Sequence, residues 1–361
     1  MHNDVYDVIG SGIGGKVSLQ NGIDYMEAKD GRKLTYRFTP AEVSKGAPLL
    51  VILNARGSKI PSKFRNGDWN VLSLVDTFGL EGDTSAYLGE EGDFFVREMV
   101  LSLIQTAIDQ CECDPKENLF FYASSIGAYA AIMYGILFEA RGVYANAPII
   151  KLHDTTMYSE IYKNRVDFTI PPQKKDVIEN DLVVFMKANR HKKLPTFFVC
   201  DNIHQKEPWL QNFLQEQTMY FVNACLEEGV DIHLELLPGE GHIINHSMKE
   251  VVDLFIKYTP PKFVQLTTID AVCNDRSLKV HCILGQDYLG TEDVQYAFYL
   301  MHNGQRVQLR GYESDPTTVF TFEDELPRGN LEVIGFIRDK SGTTLRKGIF
   351  VFDANADHKN R

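Results

Sequence analysis

The sequence predicts two architectures in series: an α/β domain built on a mostly parallel sheet with an inserted lid, then an all-β, immunoglobulin-like sandwich. Three observations carry this. Leu49-Leu50-Val51-Ile52-Leu53 is apolar throughout, the pattern of a strand covered on both faces as in a parallel sheet. Further strands alternate with stretches of helical periodicity as far as about residue 258. Beyond Pro260-Pro261 helical spacing stops and short strands follow one another.

Each element has a local reason. Ile23–Ala28 and Leu34–Phe38 flank the turn Lys29-Asp30-Gly31-Arg32, so residues 1–45 supply a β-hairpin that joins the sheet. The α/β domain proper covers 46–259. Its second strand is Trp69–Asp76. Phe95, Met99, Leu103, Ile104, Ala107 and Ile108 recur at helical spacing and predict a helix over 93–110. Asn118–Ala123 is a strand running directly into Ser124-Ser125-Ile126-Gly127-Ala128, whose small residues open a helix lasting to about Ala140. Gly142–Ala147 is the next strand. Residues 151–190 break the rhythm with a polar stretch, Pro171-Pro172 and Lys174-Lys175, and read as the lid. A strand over 196–200, a helix over Gln215–Glu228 ended by Gly229, a strand over 231–237 and a helix over 248–258 complete the domain. Seven strands between 264 and 352, split by turns such as Asn303-Gly304, predict a sandwich over 262–354. It lacks the disulfide-and-Trp pattern of antibody domains, so its architecture is of the fibronectin-III type. Residues 355–361 are a polar tail.

Composition narrows the function. The 361 residues are 44% hydrophobic and 24% charged, a globular composition. Lys and Arg total 37 against 49 Asp and Glu, a net charge of −12. With no basic stripe interleaved with aromatics, this disfavours nucleic acid as a partner. No apolar run reaches about 18 residues, so no membrane span is expected. The start lacks the basic and apolar regions of a secretion signal. Six scattered cysteines without a C-x-x-C pair predict reduced thiols, a cytoplasmic location and no metal. Gly10-Ser11-Gly12-Ile13-Gly14-Gly15 matches the dinucleotide-binding glycine pattern, but no crossover helix fits before the hairpin. It reads as a glycine loop, and no bound cofactor is expected.

The chemistry centres on Ala123-Ser124-Ser125-Ile126-Gly127 at a strand-to-helix junction. A serine between two small residues can sit on a very tight bend, with Oγ presented at the top of the sheet. The helix that follows aims free N–H groups and its positive dipole end at the same place. Ser124 is a rival nucleophile, but Tyr122 and Ile126 occupy its flanking small-residue positions.

This junction resembles the nucleophile turn of the α/β-hydrolase superfamily, with Ala123 where glycine is commonest; the resemblance covers about 46–258. It implies Ser125 as nucleophile, the Ile126 amide as one oxyanion donor, and partners in the order serine, acid, histidine. His242, after Leu236-Leu237-Pro238-Gly239-Glu240-Gly241, fits the histidine, with His246 and His204 as competitors. Asp201, directly after the strand 196–200, fits the acid, with Glu207 as alternative. Asn54-Ala55-Arg56-Gly57 follows the first buried strand, which makes the Arg56 amide the second oxyanion donor. Its guanidinium is suited to an anionic substrate group.

Ser85-Ala86-Tyr87-Leu88-Gly89, Cys113–Ser125 and Gly142–Pro148 resemble bacterial α/β-hydrolase-fold proteins encoded with surface-glycan and capsule biosynthesis machinery. That group includes capsule O-acetyltransferases and the accessory-secretion O-acetyltransferase. The resemblance implies serine-dependent O-acetylation of a surface glycan, with acetyl-CoA as acyl donor. It also implies glycan-biosynthesis proteins as partners of the sandwich. An esterase with the same triad is one alternative. A non-catalytic glycan-assembly or binding protein on a hydrolase scaffold is another.

Overall fold

The computed structural model describes residues 19–42, 47–155, 159–204, 210, 212–261, 266–274, 276–284, 294–324, 327, 329–338 and 344–353. The glycine loop at 8–15 and the tail from 355 lie outside the described residues. The chain divides into Met1–Ala41 with Ala47–Lys262, and Glu42–Gly46 with Phe263–Arg361.

The first unit is built on eight strands: β1 (Gly22–Glu27), β2 (Lys33–Thr39), β3 (Leu49–Leu53), β4 (Asn70–Val75), β5 (Leu119–Ser124), β6 (Gly142–Asn146), β7 (Thr196–His204) and β8 (Ile232–Glu240). Their spatial order is β1-β2-β4-β3-β5-β6-β7-β8. The hairpin β1–β2 joins β4 antiparallel, and every pairing from β4 through β8 is parallel. β3, β4, β5 and β6 are buried at every position. Burial at every position follows from helices lying on both faces. On one face pack α1 (Phe95–Cys111), α2 (Ser125–Leu137), α4 (Leu182–Ala188) and α5 (Tyr220–Glu228). On the other, α6 (Met248–Tyr258) sets Phe255 against Trp69 and Phe120.

The insertion at 151–190 contains α3 (Glu160–Thr169), two short 3-10 turns and α4. Ser159 caps α3 and Asp181 caps α4 through their side chains. Leu152 N–H to Asn180 O and Leu182 N–H to Ile150 O staple its base. The carbonyls of Phe168 and Thr169 accept from the amides of Glu91 and Gly92, so the end of α3 rests on that loop.

Two strands run further than the sequence predicts. β7 continues four residues past Cys200 to His204, and β8 continues to Glu240. The two extensions pair with each other, Asp201 with Leu236 and Asn202 with Leu237. Mutual pairing satisfies backbone groups that polar side chains alone would leave to a loop. Pro238 is tolerated because β8 is an edge strand.

The second unit has a three-stranded sheet, β13 (Thr317–Thr321), β10 (Ser277–Leu284) and β9 (Leu266–Asn274). It also has a four-stranded sheet, β12 (Gln305–Glu313), β11 (Gln295–His302), β14 (Asn330–Arg338) and β15 (Thr344–Asp353). Leu278 and Val280 from one sheet share a core with Leu300 and Val333 from the other. This is the all-β sandwich that alternating strands predict.

Candidate active site

β5 ends at Ser124 and α2 begins at Ser125. Ser125 has φ 54°, the left-handed region. For a non-glycine residue that conformation costs of order 1–3 kcal/mol and persists only where its surroundings impose it. The surroundings here are crowded. A Cβ on Gly127 would stand 2.5 Å from the Leu53 carbonyl oxygen and 3.2 Å from that of Asn54. Only glycine lets the first turn of α2 approach the end of β3 so closely. The two serines differ: Ser124 is extended (φ −131°, ψ 156°) and buried, whereas Ser125 is half-buried on the bend. Ile126, second in the helix, has an amide with no acceptor within α2.

Ile126 lines a small, half-open cavity of about 30 Å³ together with Arg56, Asp83, Tyr162 and Arg165. Arg56 reaches it from the loop after β3. Tyr87 Oη lies 3.0 Å from the carbonyl oxygens of both Asn54 and Leu74, fixing the start of that loop. Tyr87 is held in turn by Asp76, whose buried Oδ2 accepts from Thr84 Oγ1, Ser85 N, Ser85 Oγ and Tyr87 N at 2.7–2.9 Å. Burial is the largest influence on the Asp76 carboxyl and raises its pKa. Asp83 accepts from Arg56 Nε at 2.7 Å and pairs with Arg165 Nε at 3.3 Å. One carboxylate thus faces two guanidiniums, and Arg165 Nη1 is buried with no hydrogen-bond partner among the described residues.

His242 follows Gly241, which has φ 86°, after the end of β8. Its ring meets Phe213 edge-on, with centroids 5.0 Å apart. Phe213 leads into a π-helical turn, Leu214–Met219, that carries Thr218. Thr218 Oγ1 donates to Asp201 Oδ2 at 2.6 Å, and Asn202 N donates to Asp201 Oδ1 at 2.7 Å. Asp201 is fully buried, which pushes its carboxyl from 3.8 up to about 6 against the opposing effect of those bonds. The expectation that Asp201 stands in a loop after its strand is corrected: it lies inside β7, because β7 and β8 extend together. His204 is exposed at the end of β7, and Glu207 lies outside the described residues. His246 is half-buried; its Nδ1 is 2.7 Å from Tyr144 Oη and its Nε2 is 3.2 Å from Glu235 Oε2.

Two buried asparagines that the sequence reading passed over hold the histidine loop. Asn202 Nδ2 donates to Gly241 O at 2.8 Å, and a Cβ on Gly239 would stand 2.5 Å from Asn202 Oδ1. Asn146 Nδ2 donates to Ile243 O at 2.7 Å, and Asn146 Oδ1 accepts from Asn245 N at 3.2 Å. Asn146 pairs with Ser124 across β5 and β6, so this loop is anchored one strand from the bend. A polar residue ending an apolar strand, as in Gly142–Asn146, was the available signal. Because β3, β5, β7 and β8 are parallel, Arg56, Ser125, Asp201 and His242 all come from the carboxyl edge of the sheet. There Ile126 and Arg56 share one cavity, while Asp201 and His242 share the Phe213–Thr218 turn.

The chain is similar to an acylaminoacyl peptidase of Pyrococcus horikoshii (TM-score 0.50, 10% identity), over 68% of this chain and 43% of that one. The fold is that of the α/β-hydrolases. The fluorophosphonate-binding serine hydrolase F of Staphylococcus aureus aligns over 67% of this chain and 100% of its own (TM-score 0.49, 13% identity). The capsule O-acetyltransferase of Neisseria meningitidis serogroup A aligns over 67% and 94% (TM-score 0.44, 15% identity). Against a longer Bacteroides ovatus chain described as a dipeptidyl aminopeptidase IV, the alignment spans 35% of that chain. No family model and no curated protein matches the sequence. Among the described residues no helix is long and apolar enough to cross a membrane.

Proposed function

We propose that this α/β-hydrolase-fold chain is a serine-dependent acyl-transfer enzyme that O-acetylates a surface glycan, with acetyl-CoA as donor. The single observation that carries the reading is Ser125 at φ 54° on the first residue of α2. A serine held in that strained bend, beside helix amides without intrahelical acceptors, is what attack on an acyl carbon requires. In this reading His242 takes the Ser125 proton as Oγ attacks, then returns it to the leaving group. The Ile126 and Arg56 amides receive the developing oxyanion. Asp201 retains lone pairs beyond those bonded to Thr218 and Asn202, and serves as the acid that steadies the imidazolium.

The surplus positive charge at Arg56 and Arg165, with Arg165 Nη1 buried and unbonded, favours a donor or acceptor bearing phosphate or carboxylate. The insertion contributes Tyr162 and Arg165 to the cavity, the placement needed to exclude water when an acceptor hydroxyl resolves the acyl-enzyme. Exposure to acetyl-CoA should add one acetyl group, located on Ser125 by mass spectrometry. Added oligosaccharide should then discharge it into an acetylated product. Aryl acetate hydrolysis with no acceptor product would leave the esterase. Fluorophosphonate labelling that persists in Ser125→Ala would remove the nucleophile. No labelling of wild type would leave a binding scaffold.

A further inference from the structure

On the α6 face of the sheet, three groups that the acyl-transfer reading does not use converge. Cys200 and Glu235 are paired across β7 and β8. His246 returns from the loop after β8 to meet both. The Cys200 thiol, a Glu235 carboxylate oxygen and a His246 ring nitrogen all lie within 4.8 Å of one another. Cys200 is 1% exposed, and Glu235 opens the cluster to solvent.

We propose that Cys200, Glu235 and His246 form a zinc site, with water as the fourth ligand. One thiolate, one imidazole and one carboxylate are ligands zinc accepts, at about 2.3 Å for sulfur and about 2.0–2.2 Å for nitrogen and oxygen. Tetrahedral geometry with those bonds sets ligand atoms about 3.5 Å apart. His246 Nε2 and Glu235 Oε2 already stand 3.2 Å apart, and closing a gap of at most 4.8 Å asks only for side-chain adjustment. The outer contacts suit the role. Tyr144 Oη holds Nδ1 of His246 at 2.7 Å, which orients the ring and directs Nε2 toward the carboxylate. The Tyr144 ring is itself fixed by stacking on Tyr122, with centroids 5.5 Å apart. A half-open cavity of about 240 Å³, lined by Cys200, Glu235 and Tyr144 among others, gives water and metal a path in.

Zinc binding replaces the thiol S–H bond with an S–Zn bond and releases that proton to solvent, with no change of oxidation state. Because His246 shares its loop with His242, the ion ties the loop to β7 and β8. This inference stands apart from the proposed acyl transfer, since none of its ligands takes part in that chemistry.

The test uses the full chain, freed of metal with a chelator and titrated with cobalt(II) as a spectroscopic stand-in for zinc. One cobalt per chain with thiolate-to-metal charge-transfer absorption is expected, and zinc should displace it one for one. Cys200→Ser should abolish the absorption, while Cys273→Ser should leave it intact. Glu235→Gln sits on the exposed edge strand and serves as the variant that keeps the fold. It should weaken affinity at least about ten-fold, and Tyr144→Phe about ten- to a hundred-fold. Wild type without cobalt–thiolate absorption overturns the proposal, as does absorption that survives Cys200→Ser. Affinity unchanged in Glu235→Gln removes the carboxylate from the site and overturns it equally.

Discussion

Under the proposed function, Gly127→Ala tests whether close approach of α2 to β3 is what holds the bend at Ser125. The added methyl would stand 2.5 Å from Leu53 O, and ordinary contact begins at 3.4 Å, so 3.4 − 2.5 = 0.9 Å must be found. Leu53 cannot yield cheaply, because β3 is hydrogen-bonded to β4 on one side and β5 on the other. The first turn of α2 must move, carrying Ser125 and Ile126 away from the loop that leads to Arg56. Overpacking of this kind costs about 1–3 kcal/mol. A misplacement near 1 Å at a reacting group costs on the order of a hundred-fold in rate. The assay is the second-order rate of fluorophosphonate labelling alongside the melting temperature. Gly311→Ala is the control, since its methyl meets nothing within 4 Å. Labelling should slow about a hundred-fold in Gly127→Ala and stay at the wild-type rate in Gly311→Ala. A Gly127→Ala chain that labels as fast as wild type refutes the reasoning, whatever its melting temperature.

Other perturbations follow from the same geometry. Ser125→Gly should be more stable than Ser125→Ala by up to about 1 kcal/mol, because glycine occupies φ 54° without strain while alanine keeps it; under the proposed function both should lose labelling. Asp201 holds its proton more tightly in the folded chain, with its carboxyl near 6 instead of 3.8, so it destabilises the fold increasingly as pH rises from about 4 to about 6. The difference, 6 − 3.8 = 2.2 units at about 1.4 kcal/mol each, is about 3 kcal/mol above that window. Urea unfolding at pH 4, 5, 6 and 7 should show Asp201→Asn gaining on wild type across that range, and parallel curves would contradict the burial argument. Asn146→Ala and Asn202→Ala each strip a buried hydrogen bond from the loop bearing His242, at about 1–3 kcal/mol. Under the proposed function kcat for an aryl acetate should fall more than KM rises, and an unchanged kcat would mean the loop needs neither anchor. Arg165→Met should raise KM about ten-fold for an anionic substrate and leave a neutral aryl acetate unaffected; equal effects on both would argue against an anion subsite.

Much of the fold was legible because its determinants are local. Leu49–Leu53 and Gly142–Asn146 are runs without polar alternation, and both proved to be strands buried at every position. The bend at Ser125 was legible as well, since small residues on either side of a serine are a steric requirement written in adjacent positions. The boundaries of β7 and β8 were not. Asp201, Asn202, Pro238 and Gly239 read as strand-ending residues, yet the two strands extend by pairing with each other. That pairing is a non-local preference, and no window along either segment contains it.

Residue order by itself determined the alternation of strand and helix, the change to short strands after Pro260-Pro261, and the serine poised where a strand becomes a helix. These depend on spacings of a few residues, which chain geometry converts directly into faces and turns. Tertiary structure alone decided the contacts at the carboxyl edge of the sheet: the methyl-sized gap missing at Gly127, the asparagines gripping the histidine loop, and two arginines about one aspartate. It likewise decided the meeting of Cys200, Glu235 and His246. Such groups are from eleven to more than a hundred residues apart in the chain, and only strand order and register, set by burial over the whole sheet, bring them within reach of one another.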